Sequence, residues 1–305
     1  MENKTAVTEF LLLGFSGDPT FQVFLFLVFL SIYLITLVGN MVIILVIRTD
    51  PQLHTPMYFF LVNLSFIDIC YSSVTVPKML QNLLTTKKTI TVCGCIVQIF
   101  FFIFMVGTEI FLLSAMAYDR YAAICNPLRY STIMNHRLCI QMVLFAWLSG
   151  FLDSLVNTLF LTDLHFCGPS NITHFSCELP LLLQLSCTST FANEMVILTF
   201  SMPLGFAALL LIIASYVHIV GSTLKINSTE GRQKVFSTCA SHLTVVFLFC
   251  GTAFIRYMKP ASGYSDTMDK LASIQYSILT PMLNPIIYSL KNKDVKNALK
   301  KLFRK

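Results

Sequence analysis

Charged residues are scarce in this chain. Only 12% of its 305 residues are Asp, Glu, Lys or Arg, whereas 55% are hydrophobic and the mean hydropathy is +0.73. A soluble domain has about 25% charged residues, so the 21 basic and 15 acidic residues cannot cover the surface of a globule of this length. The scarcity excludes a disordered chain, a basic nucleic-acid-binding domain and a soluble enzyme of average composition. It indicates an integral membrane protein.

Signatures of catalysis and of transport are also missing. The chain has no Gly-x-Ser-x-Gly motif, and no Gly-x-Gly-Asp partner that would make Tyr118-Asp119 half of an intramembrane aspartyl protease. Its six His residues give no metal triad inside the apolar stretches. The two halves of the chain lack the matching broken helices of a secondary transporter. We therefore expect a protein that is not an enzyme, without a resident cofactor, and keep a transporter as a distant alternative.

Seven apolar stretches are long enough to cross a bilayer as helices. They run over residues 23–48, 57–80, 95–120, 139–161, 194–221, 235–258 and 270–290. Lipid requires every backbone polar group to be paired within the protein, and these stretches are too continuously apolar for the strands of a barrel. The sequence therefore predicts an all-α membrane protein built as a seven-helix bundle.

The distribution of Lys and Arg predicts the orientation of the bundle. If the N-terminus lies outside the cell, the inner segments carry twice as many Lys and Arg residues as the outer ones. Glycosylation sequons at Asn3 and Asn171 then fall on the outer side. We expect an extracellular N-terminus over residues 1–22, a seven-span domain over 23–290 and a cytoplasmic tail over 291–305. Residues 1–22 do not resemble a signal peptide, so the first span is expected to act as the targeting signal.

The predicted tail has the pattern of an amphipathic helix. Val295, Ala298, Leu299, Leu302 and Phe303 recur at helical spacing, and lysines occupy the opposite face. We expect this short helix to lie on the inner leaflet of the membrane.

Two short motifs stand at the inner ends of predicted spans. Asp119-Arg120-Tyr121 ends the third span, and Asn284-Pro285 with Tyr288 ends the seventh. Together with seven spans, these motifs resemble the rhodopsin-like G-protein-coupled receptors. Further segments narrow the resemblance to the class II (tetrapod-type) olfactory receptors: residues 8–15 (TEFLLLGF), 53–59 (LHTPMYF), 116–125 (MAYDRYAAIC), 215–216 (SY), 234–243 (KVFSTCASHL) and 281–288 (PMLNPIIY).

The resemblance implies an odorant receptor of the plasma membrane, in the cilia of olfactory sensory neurons. Such a receptor binds small, mostly hydrophobic odorants between its helices and activates a stimulatory, olfactory-type G protein that raises cyclic AMP. A chemosensory receptor outside olfaction, with a small metabolite as ligand, is the alternative.

The resemblance also implies an activation switch. Its predicted residues are Asp119, Arg120, Tyr121, Tyr216, His242, Asn284, Pro285 and Tyr288. A charge-assisted pair between Asp119 and Arg120 could hold the arginine, and its release would let Arg120 reach a G protein or the nearby tyrosines. The alternative is an ion pair that only orients the helix.

Acidic residues inside spans are costly and point to function. Asp68 and Glu109 lie at mid-span depth, and the resemblance places them with Asn40 and Asn284 in a polar core that can hold Na⁺ or protons. The alternative is a pair of neutral carboxyl groups that are hydrogen-bonded between helices. Asp153, in the fourth span, has no counterpart and no predicted role.

Helical spacing and the resemblance together predict an apolar ligand pocket in the outer half of the bundle. Its residues, called here the predicted pocket, are Phe102, Ile103, Val106, Gly107, Phe200, Leu204, Cys250, Ala253, Phe254, Tyr257 and Ile274. Cys250 stands where the family usually has Tyr, which removes a hydrogen-bond donor and enlarges the space. For each of these residues, plain packing between helices is the alternative.

Five of the ten cysteines fall on the predicted outer side, where disulfides are the default. The resemblance pairs Cys95 with Cys177 and Cys167 with Cys187, which leaves Cys93 over. A metal cluster made by His165, Cys167, His174 and Cys177 is the alternative.

Overall fold

The described part of the chain contains seven long helices. The computed structural model describes residues 7–15, 17–167, 170–257, 266–291 and 293–302. In chain order the helices are α1 (Pro19–Thr49), α2 (Pro56–Leu84), α3 (Val92–Cys125), α4 (His136–Thr162), α5 (Phe191–Leu224), α6 (Thr229–Tyr257), α7 (266–291) and a short final helix, α8 (Lys293–Leu302). Single π-turns interrupt α5 at Ile197–Ser201 and α7 at Gln275–Leu279.

Six of the seven predicted spans lie wholly inside one of these helices, and the span at 235–258 lies inside α6 as far as Tyr257. Most helices extend a few residues beyond the apolar stretch. Side-chain caps explain several of the starting points. Asp18 Oδ1 accepts a hydrogen bond from the backbone N–H of Phe21, and Pro19 occupies the first helical position of α1. Asn135 caps α4 in the same way through the N–H of Leu138. Helices α1 and α4 therefore begin directly after capping residues.

Five of the described helices, α1 to α5, are individually long and apolar enough to cross a membrane. In α6 the apolar part is shorter and covers Cys239–Thr252. Polar residues interrupt α7, and Pro285 lies inside it. The last two helices are thus the ones whose polar groups depend most on neighbours within the bundle.

A small sheet, which the prediction of an all-α fold did not include, covers the end of the bundle that is predicted to lie outside the cell. That end is called here the outer end, and the opposite end the inner end. Strand β1 (Glu9–Leu12) pairs antiparallel with β2 (Thr89–Thr91) and parallel with β3 (Asn171–Ile172), in the order β2-β1-β3. Phe10 and Leu12 of β1 are buried beside the outer end of α3. The N-terminal segment therefore forms part of a cover, because its alternate residues pack inward while its backbone pairs with two loops.

The final helix α8 packs its apolar face on the bundle and leaves its basic face exposed. Val295 and Ala298 are buried in the main hydrophobic core, so part of the apolar face packs on other helices. Lys301 Nζ lies 3.1 Å from Asp50 Oδ2, at the end of α1. The N–H of Gln52 and the ammonium of Lys301 lower the pKa of Asp50, so this carboxylate stays ionised beside Lys301.

Two glycines let helices α3 and α4 approach each other closely. A Cβ atom built on Gly150 would lie 2.7 Å from the carbonyl oxygen of Phe104 and 2.7 Å from the backbone nitrogen of Thr108. A Cβ on Gly107 would lie 3.0 Å from the Cα of Gly150. Small residues allow such contact between backbones in a membrane, where close packing replaces the hydrophobic driving force.

Substituting Gly150→Ala should separate α3 from α4 and destabilise the receptor by about 1–3 kcal/mol, the usual cost of overpacking. The measurement is the thermal unfolding midpoint of the detergent-purified protein. Gly205→Ala is the matched control, since a Cβ at Gly205 meets nothing within 4 Å. An unfolding midpoint for Gly150→Ala equal to that of the control would contradict the close approach.

Candidate functional site

A proline in α7 determines the hydrogen bonding at the centre of the bundle. Pro285 has no N–H, so the carbonyl of Pro281, one turn earlier, loses its helical donor. Asn40 of α1 supplies that donor, because its Nδ2 lies 3.0 Å from the oxygen of Pro281. A Cβ built on Gly39 would lie only 3.1 Å from Pro285 Cγ, so the small residue beside Asn40 lets the two helices meet.

The same turn of α7 contacts α2. Asn284 Nδ2 lies 3.0 Å from both carboxylate oxygens of Asp68. The structure thus brings together Asn40, Asp68 and Asn284, which the sequence analysis assigned to the polar core. Glu109 of α3 is buried near enough to interact electrostatically with Asp68.

Several buried oxygens in this region have no hydrogen-bond partner among the described residues. They are Asn40 Oδ1, Asn284 Oδ1, Glu109 Oε1 and the hydroxyl of Tyr288. Buried polar atoms without a partner are costly, and the polar core concentrates four of them.

At the inner end of α3 the structure differs from the expected Asp119–Arg120 pair. The buried carboxylate of Asp119 accepts a hydrogen bond from the hydroxyl of Tyr130, at 2.7 Å, and the guanidinium of Arg120 contacts Met57 Sδ. Neighbouring residues on a helix point about 100° apart, because a turn takes 3.6 residues, so the two side chains meet different partners. Tyr130 begins a short helical turn after α3, outside the membrane-spanning helices. Its burial, followed by the nearby Asp119, raises the pKa of Tyr130, so its phenol remains a donor.

A histidine joins three helices near the inner face. His242 of α6 places its Nε2 3.0 Å from the carbonyl oxygen of Leu113 in α3. Its Nδ1 lies 2.8 Å from the hydroxyl of Tyr216 in α5, and the two rings stack. A carbonyl can only accept, so Nε2 donates, and the neutral ring accepts the tyrosine hydroxyl at Nδ1. Tyr121 lies apart from this group, with its ring against His218.

Two disulfides hold the outer loop between α4 and α5. Cys95 pairs with Cys177 and Cys167 with Cys187, with Cα–Cα distances of 5.5 Å and 5.8 Å. These are the pairs that the family resemblance implies, and Cys93 is a free, exposed thiol. The alternative of a metal cluster is wrong, because both of its cysteines are consumed in different disulfides.

Sequence reasoning missed an acidic residue of this loop. Glu178, buried directly after Cys177, accepts hydrogen bonds from Ser273 at 2.8 Å and Tyr276 at 2.9 Å, both in α7. Its carboxylate also lies 3.6 Å from His174 Nδ1. Because a disulfide joins Cys177 to the outer end of α3, the acidic residue that follows Cys177 must lie over the bundle. The position of Glu178 next to Cys177 was therefore the signal available in the sequence.

The members of the predicted pocket lie in different surroundings. Phe102 packs its ring against Tyr71 and Tyr276, at centroid distances of 5.4 Å and 5.6 Å. Val106, Leu204 and Cys250 are half-buried against the main core, and Ile103 packs near the Cys95 disulfide. Asn171 is exposed on β3, whereas Asn3 and the side chains of Ala253, Phe254 and Tyr257 fall outside the described residues.

Three further members of the predicted pocket lie against another helix or at the surface. Gly107 faces Gly150 of α4, and Phe200 is exposed. Ile274 belongs to a hydrophobic cluster that α1, α2 and α7 share. Helical spacing identifies one face of a helix, but it cannot tell a face that lines a cavity from one that packs on a neighbour.

A groove of about 380 Å³ lies on the bundle between α3, α4 and α5, in their inner halves. Its wall includes Phe111, Tyr118, Phe145 and Leu211, and no residue of the predicted pocket.

The fold and the arrangement of the inner face define a class. The structure resembles squid rhodopsin with a TM-score of 0.74 over 95% of this chain and 87% of that chain, at 20% sequence identity. The protein therefore has the seven-helix fold of the rhodopsin-like G-protein-coupled receptors, which confirms the predicted fold class.

Relatives give the family within that class. A family model described as olfactory receptor matches residues 29–305. Human olfactory receptor 5A2 is 51% identical over 98% of this chain and 92% of its own length, and human olfactory receptor 5AN1 is 52% identical over 98% and 96%. The olfactory receptor-like protein OLF4 of Canis lupus familiaris is 50% identical over 100% and 98%. The chain belongs to the olfactory receptor family: it is an odorant receptor of the G-protein-coupled class, a multi-pass membrane protein and not an enzyme.

The Cys95–Cys177 disulfide should be required for the outer cover to assemble. Gln98 of α3 accepts the N–H of Cys177 at 2.9 Å and donates to the carbonyl of Val74 at 3.0 Å, so the bond positions a buried network. Cys177→Ser should abolish surface display, measured by flow cytometry with an N-terminal epitope tag. Cys93→Ser, which removes a free exposed thiol, is the control and should leave display unchanged. Normal display of Cys177→Ser would show that the bond is dispensable.

Proposed function

We propose that this receptor binds small, mainly apolar odorants in the outer half of its bundle and activates a stimulatory, olfactory-type G protein that raises cyclic AMP. The observation that carries the proposal is the bridge from His242 to Tyr216 and Leu113, because it connects α6, α5 and α3 beside the inner face. Three hydrogen-bonded helices form an element with two arrangements, bridged and open, that a ligand can bias.

In the proposed mechanism the odorant favours the open arrangement of α5, α6 and α7. Breaking the two bonds of His242 would let the inner end of α6 move away from α3. Arg120, whose guanidinium contacts the soft, weakly accepting sulfur of Met57, would then be free to bind the G protein. Asp119 stays bound to Tyr130, so the loop after α3 would keep its conformation during the change.

The orientation that we propose has the N-terminus outside and the C-terminus in the cytoplasm. The excess of Lys and Arg in the inner segments supports it, and so do the disulfide-bonded loop and the exposed Asn171 sequon at the opposite end. The basic face of α8, with Lys296 and Lys300 exposed, would then meet anionic lipids of the inner leaflet. Family membership supports the cilia of olfactory neurons as the location.

Substituting Arg120→Ala should abolish the cyclic AMP response to an odorant found by screening the wild type, because the arginine would contact the G protein. The measurement is cyclic AMP in cells that co-express the receptor with the stimulatory olfactory G protein, normalised to surface level. Arg137→Ala, at the exposed start of α4, is the control and should signal as the wild type does. A wild-type response from Arg120→Ala would remove the residue from the switch.

We also propose that the polar core holds Na⁺ in the inactive receptor. The Asp68 carboxylate, with unpaired oxygens on Asn40, Glu109 and Asn284 nearby, is the oxygen-rich donor set that a hard cation prefers. Bound there, the ion would neutralise charge that is otherwise buried in the bundle. The alternative occupant is a proton on one of the two acids.

Replacing Na⁺ by K⁺ at constant ionic strength should lower the unfolding midpoint of the purified wild type, because a ligand stabilises the folded state that binds it. The Asp68→Asn variant should show no difference between the two salts. Equal midpoints for the wild type in both salts would favour protonated carboxyl groups over a bound ion.

A further inference from the structure

The groove between α3, α4 and α5 opens sideways, onto the surface of the bundle that faces lipid. Phe145 of α4 and Leu211 of α5 line it, and each side chain is 58% exposed although it belongs to a membrane-spanning helix. The uncovered side of such a helix is in contact with the bilayer. The volume of about 380 Å³ is enough for a small molecule. A molecule that fills the groove therefore enters from the membrane.

The middle of the groove has no free hydrogen-bond donor. Two serines line it, but both hydroxyl groups donate within the protein. Ser114 Oγ lies 2.9 Å from the carbonyl oxygen of Ala208, and Ser215 Oγ lies 2.8 Å from that of Leu211. With both donors used, this part of the groove is suited to an apolar body.

Two polar side chains lie at the inner end of the groove. Gln141 of α4 and Tyr118 of α3 line it, and neither side chain forms a hydrogen bond with another described residue. Gln141 lies five residues after the start of α4 at His136, about 8 Å along the helix axis. The free amide is therefore close to the inner boundary of the span, where the polar end of a lipid lies.

The lining distinguishes between classes of lipid. None of the described residues that line the groove is charged, whereas the phosphate of a phospholipid is best bound by Arg or Lys. A sterol has a single hydroxyl group, which can both donate to and accept from an amide. Its fused rings are rigid, so they lose little conformational entropy on binding. The rings of Phe111 and Phe145, edge to face at a centroid distance of 5.3 Å, form an apolar wall for such a body.

We propose that this groove binds a sterol of the inner leaflet, with the sterol hydroxyl at Gln141 and the fused rings against Phe111 and Phe145. The site is separate from the predicted pocket, none of whose residues line the groove. A sterol bound there contacts three helices at once, so it stabilises their packing.

The first test is labelling of the full-length receptor, in phosphatidylcholine nanodiscs, by a photoactivatable cholesterol analogue. Mass spectrometry should find the label on peptides of α3, α4 and α5, and excess cholesterol should block it. Leu211→Trp, which fills the groove, should weaken binding at least about 10-fold, the scale of an overpacking penalty. Leu210→Trp is the matched control, since Leu210 is also exposed on α5 but does not line the groove.

The second test concerns the polar end and leaves the groove open. The competitors are cholesterol and 5-cholestene, which lacks only the hydroxyl group. The wild type should bind cholesterol about 2- to 10-fold more tightly, the contribution of one hydrogen bond. In Gln141→Leu the two sterols should compete equally.

Three results would overturn the proposal. Equal labelling of Leu211→Trp and Leu210→Trp would show general contact with lipid. Block of the labelling by added phosphatidylserine, to the same extent as by cholesterol, would assign the groove to a phospholipid. An unchanged preference for cholesterol in Gln141→Leu would remove the hydroxyl group from Gln141.

Discussion

Inside a bilayer, a backbone carbonyl without a donor must be satisfied by the protein itself, and Pro285 creates one such carbonyl in α7. This carbonyl belongs to Pro281, and Asn40 donates to it, while Asn284, the residue before Pro285, binds Asp68. These bonds join α1, α2 and α7 at one level of the membrane. Each such bond is worth about 0.6–2 kcal/mol between helices in lipid. The polar groups of this level therefore specify how α7 sits in the bundle more than they add to its stability.

The contacts that hold the two ends of the receptor together differ in kind. At the outer end, β1, two disulfides and the buried Glu178 connect the loops to the tops of α3 and α7. At the inner end, single hydrogen bonds to His242 and Asp119 join neighbouring elements. Covalent and multiple contacts make the outer cover rigid, whereas single bonds can be exchanged at a small cost. The difference suits a receptor that reads a ligand at one end and rearranges at the other.

Prediction from sequence was most successful where the physics is local. Apolar stretches located the helices, because a span requires a run of hydrophobic residues of defined length. The amphipathic pattern of α8 and the helix containing Pro285 were evident for the same reason. Predictions about partners were less complete. Asp119 binds Tyr130 instead of Arg120, Gly107 faces α4 and Ile274 packs with α1 and α2, because each outcome depends on where another helix lies.

Composition alone determined that the chain is a membrane protein, since 12% charged residues cannot cover a globule of this size. Motifs at the ends of the third and seventh spans then pointed to the class of receptor. Only the tertiary structure decided that Asn40 donates to the carbonyl freed by Pro285, that Glu178 lies over α7, and that Asp153 accepts a hydrogen bond from Ser201 of α5. Helical periodicity gives the direction of a side chain from its own axis, but hydrogen bonds between helices depend on the relative position of two axes, which no single segment contains.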